Sequence, residues 1–161
     1  MRILTNILIL YILLITFSVQ AFPIPKNKKA TYDIWRKNKI IGTHEILFSE
    51  NNGSLSIETN IDIEVKILFV TAYTFSHKSK EVWRNDDFIK IKGYSDFEDE
   101  REYFIEGEIK NGFLFATGMD GKLKLDKNLI PSNFWNIDVM YQDEIFDTQK
   151  GIVRKLDIKE V

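Results

Sequence analysis

From residue 55 onward the chain alternates. Leu55, Ile57, Ile61, Ile63, Val65, Ile67 and Phe69 are apolar; Ser56, Glu58, Asn60, Asp62, Glu64 and Lys66 between them are polar. A period of two is the mark of a strand with one buried face. At about 3.3 Å per residue this run would extend for roughly 50 Å, too long for one flat strand, and so predicts a bulge or bend. Shorter runs predict further strands at Tyr32–Arg36, Ile40–Phe48, Thr71–Arg84, Phe88–Phe97, Tyr103–Ile109, Phe113–Thr117, Leu123–Leu125, Glu144–Thr148 and Ile152–Ile158.

Turn residues separate these runs. Glu50–Gly53, Asn85-Asp86, Asn111-Gly112, Asp120-Gly121 and Gln149–Gly151 each punctuate the pattern, and the acidic run Glu98–Glu102 reads as a solvated hairpin tip. The stretch "LIPSNFWN", Leu129 to Asn136, breaks the alternation, and Pro131-Ser132 suits one short helical turn over 131–136. No long amphipathic helix is visible. The expected fold class is all-β: an antiparallel meander rolled into an open barrel or a two-layer clamp.

The N-terminus has a different pattern. Met1-Arg2 precedes an apolar run whose solid part is Ile7 to Phe17, and Val19 and Ala21 are small residues suited to a cleavage site. This reads as a secretory signal over 1–21, too short for a membrane-spanning helix of roughly 18 apolar residues. "FPIPKNKK" then reads as a tether over 22–30, which leaves 31–161 as a single β domain. The expectation is an exported protein, periplasmic or secreted, with no transmembrane segment in the mature chain.

Composition narrows the chemistry. The chain has no cysteine, hence no disulfide, no thiol nucleophile and no cysteine metal site. A formal net charge of −2 argues against nucleic acid as a partner. There is no HExxH, GxSxG, P-loop or dinucleotide fingerprint, so no catalytic motif, metal or cofactor is expected.

The candidate site lies on "YTFSHKSKEVWR", Tyr73 to Arg84. Tyr73, Phe75, His77, Ser79, Glu81 and Trp83 share one face of this strand. His77 and Glu81 are four residues apart, about 13 Å, so they form no dyad and must find partners across the sheet. If Asn85-Asp86 is a two-residue loop, Trp83 faces Phe88, Glu81 faces Lys90 and His77 faces Tyr94. If the loop is longer by one, Glu81 meets Ile91, His77 meets Ser95 and Lys80 meets Lys92. Charge favours the first register. A satisfied polar network on an aromatic wall accounts for this face, with a ligand role as the sharper alternative.

Other candidates are scattered. His44 shares a face with Ile40, Ile46 and Phe48 and suits a half-buried histidine bonded to a backbone carbonyl. Trp83 and Trp135 are large aromatics with a polar N–H, suited to a core lid or a stacking platform. Asp147, in "DTQKG", lacks the glycine an aspartic-protease motif requires and suits a turn that accepts backbone hydrogens.

Taken together, "YDIWRKNKIIGTHEILFS", "FVTAYTFSHKSKEVWRNDD", "PSNFWN" and "IFDTQKG" resemble a family of exported bacterial all-β proteins, a domain of unknown function. The resemblance spans about Thr31 to Ile158. It rests on Gly42, His44, His77, Glu81, Trp83, Pro131, Trp135, Asn136, Asp147 and Gly151. It implies a small β domain behind a signal peptide and carries no assigned activity. The family's Asn-Asp-Asp-Gly-like turn is replaced here by "SDFEDE".

Two functional expectations follow. The first is a non-enzymatic, barrel-like protein that binds a lipid-like or other small apolar ligand, or an envelope protein. The second is a hydrolase of an envelope polymer, with Glu81, His77 or Asp147 as acid-base groups. A closed transmembrane barrel fits the size, but Lys78, Lys80 and Arg84 leave no lipid-facing band.

Overall fold

The computed structural model describes residues 24–98 and 101–159; the predicted signal segment lies outside them. Ten strands follow in order: β1 (Lys29–Arg36), β2 (Lys39–Asn51), β3 (Ser54–Ile67), β4 (Val70–Arg84), β5 (Asp87–Phe97), β6 (Arg101–Lys110), β7 (Phe113–Gly118), β8 (Gly121–Asp126), β9 (Glu144–Asp147) and β10 (Ile152–Lys155). Strands β1 to β8 pair antiparallel with their chain neighbours in a single meander, and β9 and β10 form a separate hairpin. β1 and β8 do not pair, so the sheet is open. β1 begins at Lys29, inside the stretch read as a tether.

Most turns are made by residues that tolerate left-handed backbone. Asn52-Gly53 and Asn111-Gly112 have φ of 50° and 72°, and of 51° and 78°. Two adjacent residues with positive φ give a two-residue hairpin whose twist matches that of the strands. The long alternating run does bend, at a bulge between Val65 and Lys66. It also stops sooner than its pattern suggests, because Leu68 and Phe69 form the β3–β4 turn with φ of 48° and 69°.

The register of β4 on β5 corrects the one favoured by charge. Asn85-Asp86 is a two-residue turn and Trp83 does face Phe88, but a bulge follows at once and leaves Ile89 without a partner. Beyond it Val82 faces Lys90, Glu81 faces Ile91, Lys80 faces Lys92 and His77 faces Ser95. The Glu81–Lys90 and His77–Tyr94 pairs do not form. Without the bulge, Lys90 and Lys92 would point into the core. With it, Ile91 and Ser95 do. The repulsion between Lys80 and Lys92 is relieved sideways: Lys80 Nζ lies 2.7 Å from Glu58 Oε1 on β3, and Lys92 Nζ lies 2.8 Å from Glu106 Oε1 on β6.

One core joins the sheet to its C-terminal segment. Ile46, Phe48, Ile57, Trp83, Ile91, Ile105 and Leu114 from β2 to β7 share a cluster with Trp135 and Phe146. The sheet therefore curls around the C-terminal chain, which fills its concave face. Trp135 stacks edge-on against Phe48 at 6.2 Å and Trp83 at 5.1 Å. Phe146 is fully buried.

The C-terminal segment is tied down by backbone. Pro131 bridges Phe146, with Ser132 N donating to Phe146 O at 2.7 Å and Phe146 N donating to Ile130 O at 2.9 Å. Met119 N donates to Lys150 O at 2.7 Å. There the β9–β10 turn touches the end of β7: a Cβ on Gly151 would lie 2.6 Å from Gly118 Cα. The helical turn predicted over 131–136 lies one step later, as a 3₁₀ turn at Ile137–Tyr141. Pro131 is committed to its bridge, and Asn136 caps the turn by accepting from Asp138 N at 2.9 Å.

Candidate functional site

Between the concave face and the C-terminal segment lies a cavity of about 330 Å³. Its sheet side carries His44 from β2, Ile61 from β3, and His77, Ser79 and Glu81 from β4. Its roof is Asn133, Phe134, Ile145, Asp147 and Leu156 from the C-terminal segment. The residues come together by register. Tyr32, His44, Ile61, His77 and Ser95 face one another in one row across β1 to β5. Phe48, Ile57, Glu81 and Ile91 make a second row.

His77 is buried. Its Nδ1 shares a hydrogen bond with Ser95 Oγ at 2.8 Å, and its Nε2 has no partner. Burial pushes its pKa down to about 4, with the His44 ring adding to the effect and the Asp147 charge opposing it. The ring is therefore neutral at physiological pH. His44 is buried between Phe134, at 5.3 Å, and Tyr32, at 5.8 Å. Its Nε2 too has no partner, and burial lowers its pKa.

Glu81 sits between apolar row neighbours. Burial raises its pKa to about 7, against the pull of N–H groups on Trp83, Trp135 and Asn133. Trp83 Nε1 donates to Glu81 Oε2 at 2.8 Å, and Asn133 Nδ2 donates to the same oxygen at 3.4 Å. The Trp135 N–H acts on the carboxyl without completing a hydrogen bond.

Asp147 is fully engaged. Its Oδ1 accepts from Gln149 N at 2.8 Å and Lys150 N at 3.2 Å, and its Oδ2 accepts from Arg154 Nε at 2.7 Å. It closes the β9–β10 turn, the role its position predicts.

The structure thus gathers His44, His77, Glu81 and Asp147 around one cavity. Trp83 and Trp135 pack in the core beside Glu81, and Asn136 serves as a cap. Tyr73 is exposed toward the far end of β4 and does not line the cavity. Sequence reading reached Ser95 only through the register that charge did not favour, and it missed Asn133. Ser95 was hidden by the bulge. Asn133 left a signal in its spacing: its Oδ1 accepts from Asn136 N at 3.0 Å, an arrangement that Asn residues favour in turns.

Among the described residues no cluster of His, Asp and Glu could hold a metal ion, and no helix is long and apolar enough to cross a membrane. No curated protein and no solved structure matches the chain. Residues 32–161 match the model of the family described as Domain of unknown function (DUF6134), and the chain belongs to that family.

Proposed function

We propose that this is an exported, non-enzymatic β protein that binds a small apolar or amphiphilic ligand between its sheet and its C-terminal segment. The observation that carries the reading is the cavity of about 330 Å³, at the small end of ligand-binding sites. Ile61, Phe134, Val139, Ile145 and Leu156 give it apolar walls. The two histidines that line it each keep a buried ring nitrogen without a partner. A buried polar atom left unsatisfied is costly. A ligand with an apolar body and one hydroxyl- or carboxyl-type end would satisfy both features.

The test is saturable binding of an anilinonaphthalene dye and of extracted envelope lipids, read by energy transfer from the tryptophans beside the cavity. Ser79→Leu fills the cavity from the sheet side. It should abolish the saturable component while leaving cooperative unfolding intact. Absence of any saturable component that Ser79→Leu removes overturns the proposal.

The hydrolase reading has one observation in its favour: His77, Glu81 and Asp147 line the same cavity, and Glu81 titrates near neutrality. It stands second because His77 and Glu81 are about 13 Å apart along β4 and Asp147 has both oxygens occupied. Hydrolysis of envelope glycans, peptides or esters that Glu81→Gln abolishes would place it first.

A further inference from the structure

The β3–β4 hairpin ends in a four-residue apolar tip, Ile67-Leu68-Phe69-Val70. Leu68 is 87 % exposed and Phe69 wholly so. The tip stands clear of the sheet. The β2–β3 ladder stops at Gly42–Ile63 and the β4–β5 ladder at Phe75–Phe97, while β3 and β4 stay paired to Ile67–Val70. Thr74 O, opposite Glu64, still accepts from Glu98 N at 3.1 Å. Beyond that pair, among the described residues, the hairpin is laddered only to itself, a two-stranded finger about 10 Å long.

Its turn is built against local preference. Leu68 and Phe69 both hold left-handed backbone, with φ of 48° and 69°. At the equivalent positions the β2–β3 and β6–β7 turns have Asn-Gly and the β4–β5 turn has Asn-Asp. Bulky side chains rarely take this conformation. A concentrated exposed apolar patch marks an interaction site.

A second finger lies at the same end of the sheet. It is the β1–β2 hairpin, whose turn is Lys37-Asn38 with Arg36 and Lys39 on either side. All three cations are exposed, and none has a carboxylate partner among the described residues. The meander sends the β1–β2, β3–β4 and β5–β6 turns to the same edge. The apolar tip therefore stands between the basic turn on one flank and the exposed carboxylates Asp96, Glu98 and Glu102 on the other, and only the basic flank can face anionic headgroups.

We propose that this end docks on an anionic lipid surface, with Leu68 and Phe69 entering the acyl boundary while Arg36, Lys37 and Lys39 meet the phosphates. A convex tip of four residues is far smaller than the roughly 800 Å² that each partner gives to a stable protein interface. A bilayer accepts such a tip whatever its shape and attracts nearby cations when its headgroups are anionic. The docking does not depend on the cavity.

Because the chain has no cysteine, Val70→Cys gives a single attachment point for an environment-sensitive fluorophore at the tip. The full chain is then mixed with phosphatidylcholine vesicles, with or without about one-third phosphatidylglycerol. The tip probe should shift to the blue and brighten on the anionic vesicles. A probe on Lys110→Cys, at the opposite end, should stay silent. Adding Leu68→Asn with Phe69→Gly supplies a favoured turn, so the hairpin still folds, and should weaken the response by about tenfold or more. Lys37→Glu with Lys39→Glu should weaken it as well. No shift on anionic vesicles, or an undiminished shift in the Asn-Gly variant, overturns the proposal. A shift that needs no vesicles and grows with protein concentration also overturns it, by making the tip a self-association site.

Discussion

The Trp83 indole N–H donates to the Glu81 carboxyl at 2.8 Å, two residues away on the same face of one strand. Both side chains are buried, and Glu81 has Ile57 and Ile91 as its cross-strand neighbours. In such surroundings a carboxylate survives only if a donor faces it. Trp83→Phe keeps the ring and removes the N–H. The Glu81 midpoint should then rise above its value of about 7, and stability at alkaline pH should fall by about 1–3 kcal/mol. Carboxyl-carbon NMR of selectively labelled protein reads the midpoint directly. An unchanged or lower midpoint would mean that the indole does not support the charged form.

His77 and Glu81 oppose each other in pH dependence. Burial holds the His77 pKa near 4, below its ordinary 6.5, so its contribution is complete above pH 6.5 and is lost as pH falls toward 4. Burial lifts Glu81 from 4.5 to about 7, so its contribution is complete below pH 4.5 and is lost as pH rises toward 7. Each change is on the order of 3 kcal/mol. Between pH 4.5 and 6.5 these two slopes nearly cancel, and the wild type should show only the shallower rise contributed by His44, whose pKa burial also lowers. Glu81→Gln should become steadily more stable from pH 4 to 6.5, and His77→Gln less stable from pH 4.5 to 7. Urea midpoints across this range check both, and the difference from wild type isolates each group. Parallel profiles for all three proteins would show that neither group titrates as described.

The roof of the cavity depends on a backbone contact between two glycines. Gly151 has φ of 66°, and a Cβ there would lie 2.6 Å from Gly118 Cα. Gly151→Ala should therefore cost about 1–3 kcal/mol in overlap, with further strain from its positive φ. The loss should be local. Amides of Met119, Gly151 and Thr148 should exchange with solvent faster, while those in the middle of β4 stay protected. Uniform acceleration across the sheet would instead show that the C-terminal hairpin and the sheet unfold as one unit.

The meander was legible because alternation and turn residues agree at almost every junction. Leu55 to Ile67 reads as one buried-face strand, and Asn52-Gly53 and Asn111-Gly112 announce their hairpins. The site was only half legible. His77 and Glu81 were visible as odd polar residues on an aromatic face, but their neighbours depended on register, and a bulge is a single-residue event with no strong local signal. The pairwise charge argument failed because Lys80 and Lys92 each have a second neighbouring strand, where Glu58 and Glu106 wait. The alternation within β5 held the better clue: Ile91, Gly93, Ser95 and Phe97 against Lys90, Lys92, Tyr94 and Asp96. The β3–β4 tip was misread for a different reason. Leu68 and Phe69 continue the apolar pattern of a strand, and nothing in their chemistry announces a turn.

The bulge itself makes the last prediction. Ile89 is the residue without a partner, between the Trp83–Phe88 and Val82–Lys90 pairs. Deleting it leaves Phe88 facing inward, Lys90 outward and Ile91 inward, so the β4–β5 ladder becomes regular and every buried side chain keeps its place. The deletion should fold and cost no more than about 1–2 kcal/mol, the loss of one half-buried isoleucine. Deleting Lys92 has the opposite effect. Gly93 to Phe97 would exchange faces, Ser95 would leave His77, and Phe97 would leave the Phe75 ring 4.8 Å away. That variant should lose cooperative unfolding altogether. Thermal denaturation of the two deletions side by side decides the matter. If removing Ile89 is as damaging as removing Lys92, the bulge bends β5 in a way the curled sheet requires, and its role is not confined to setting the register.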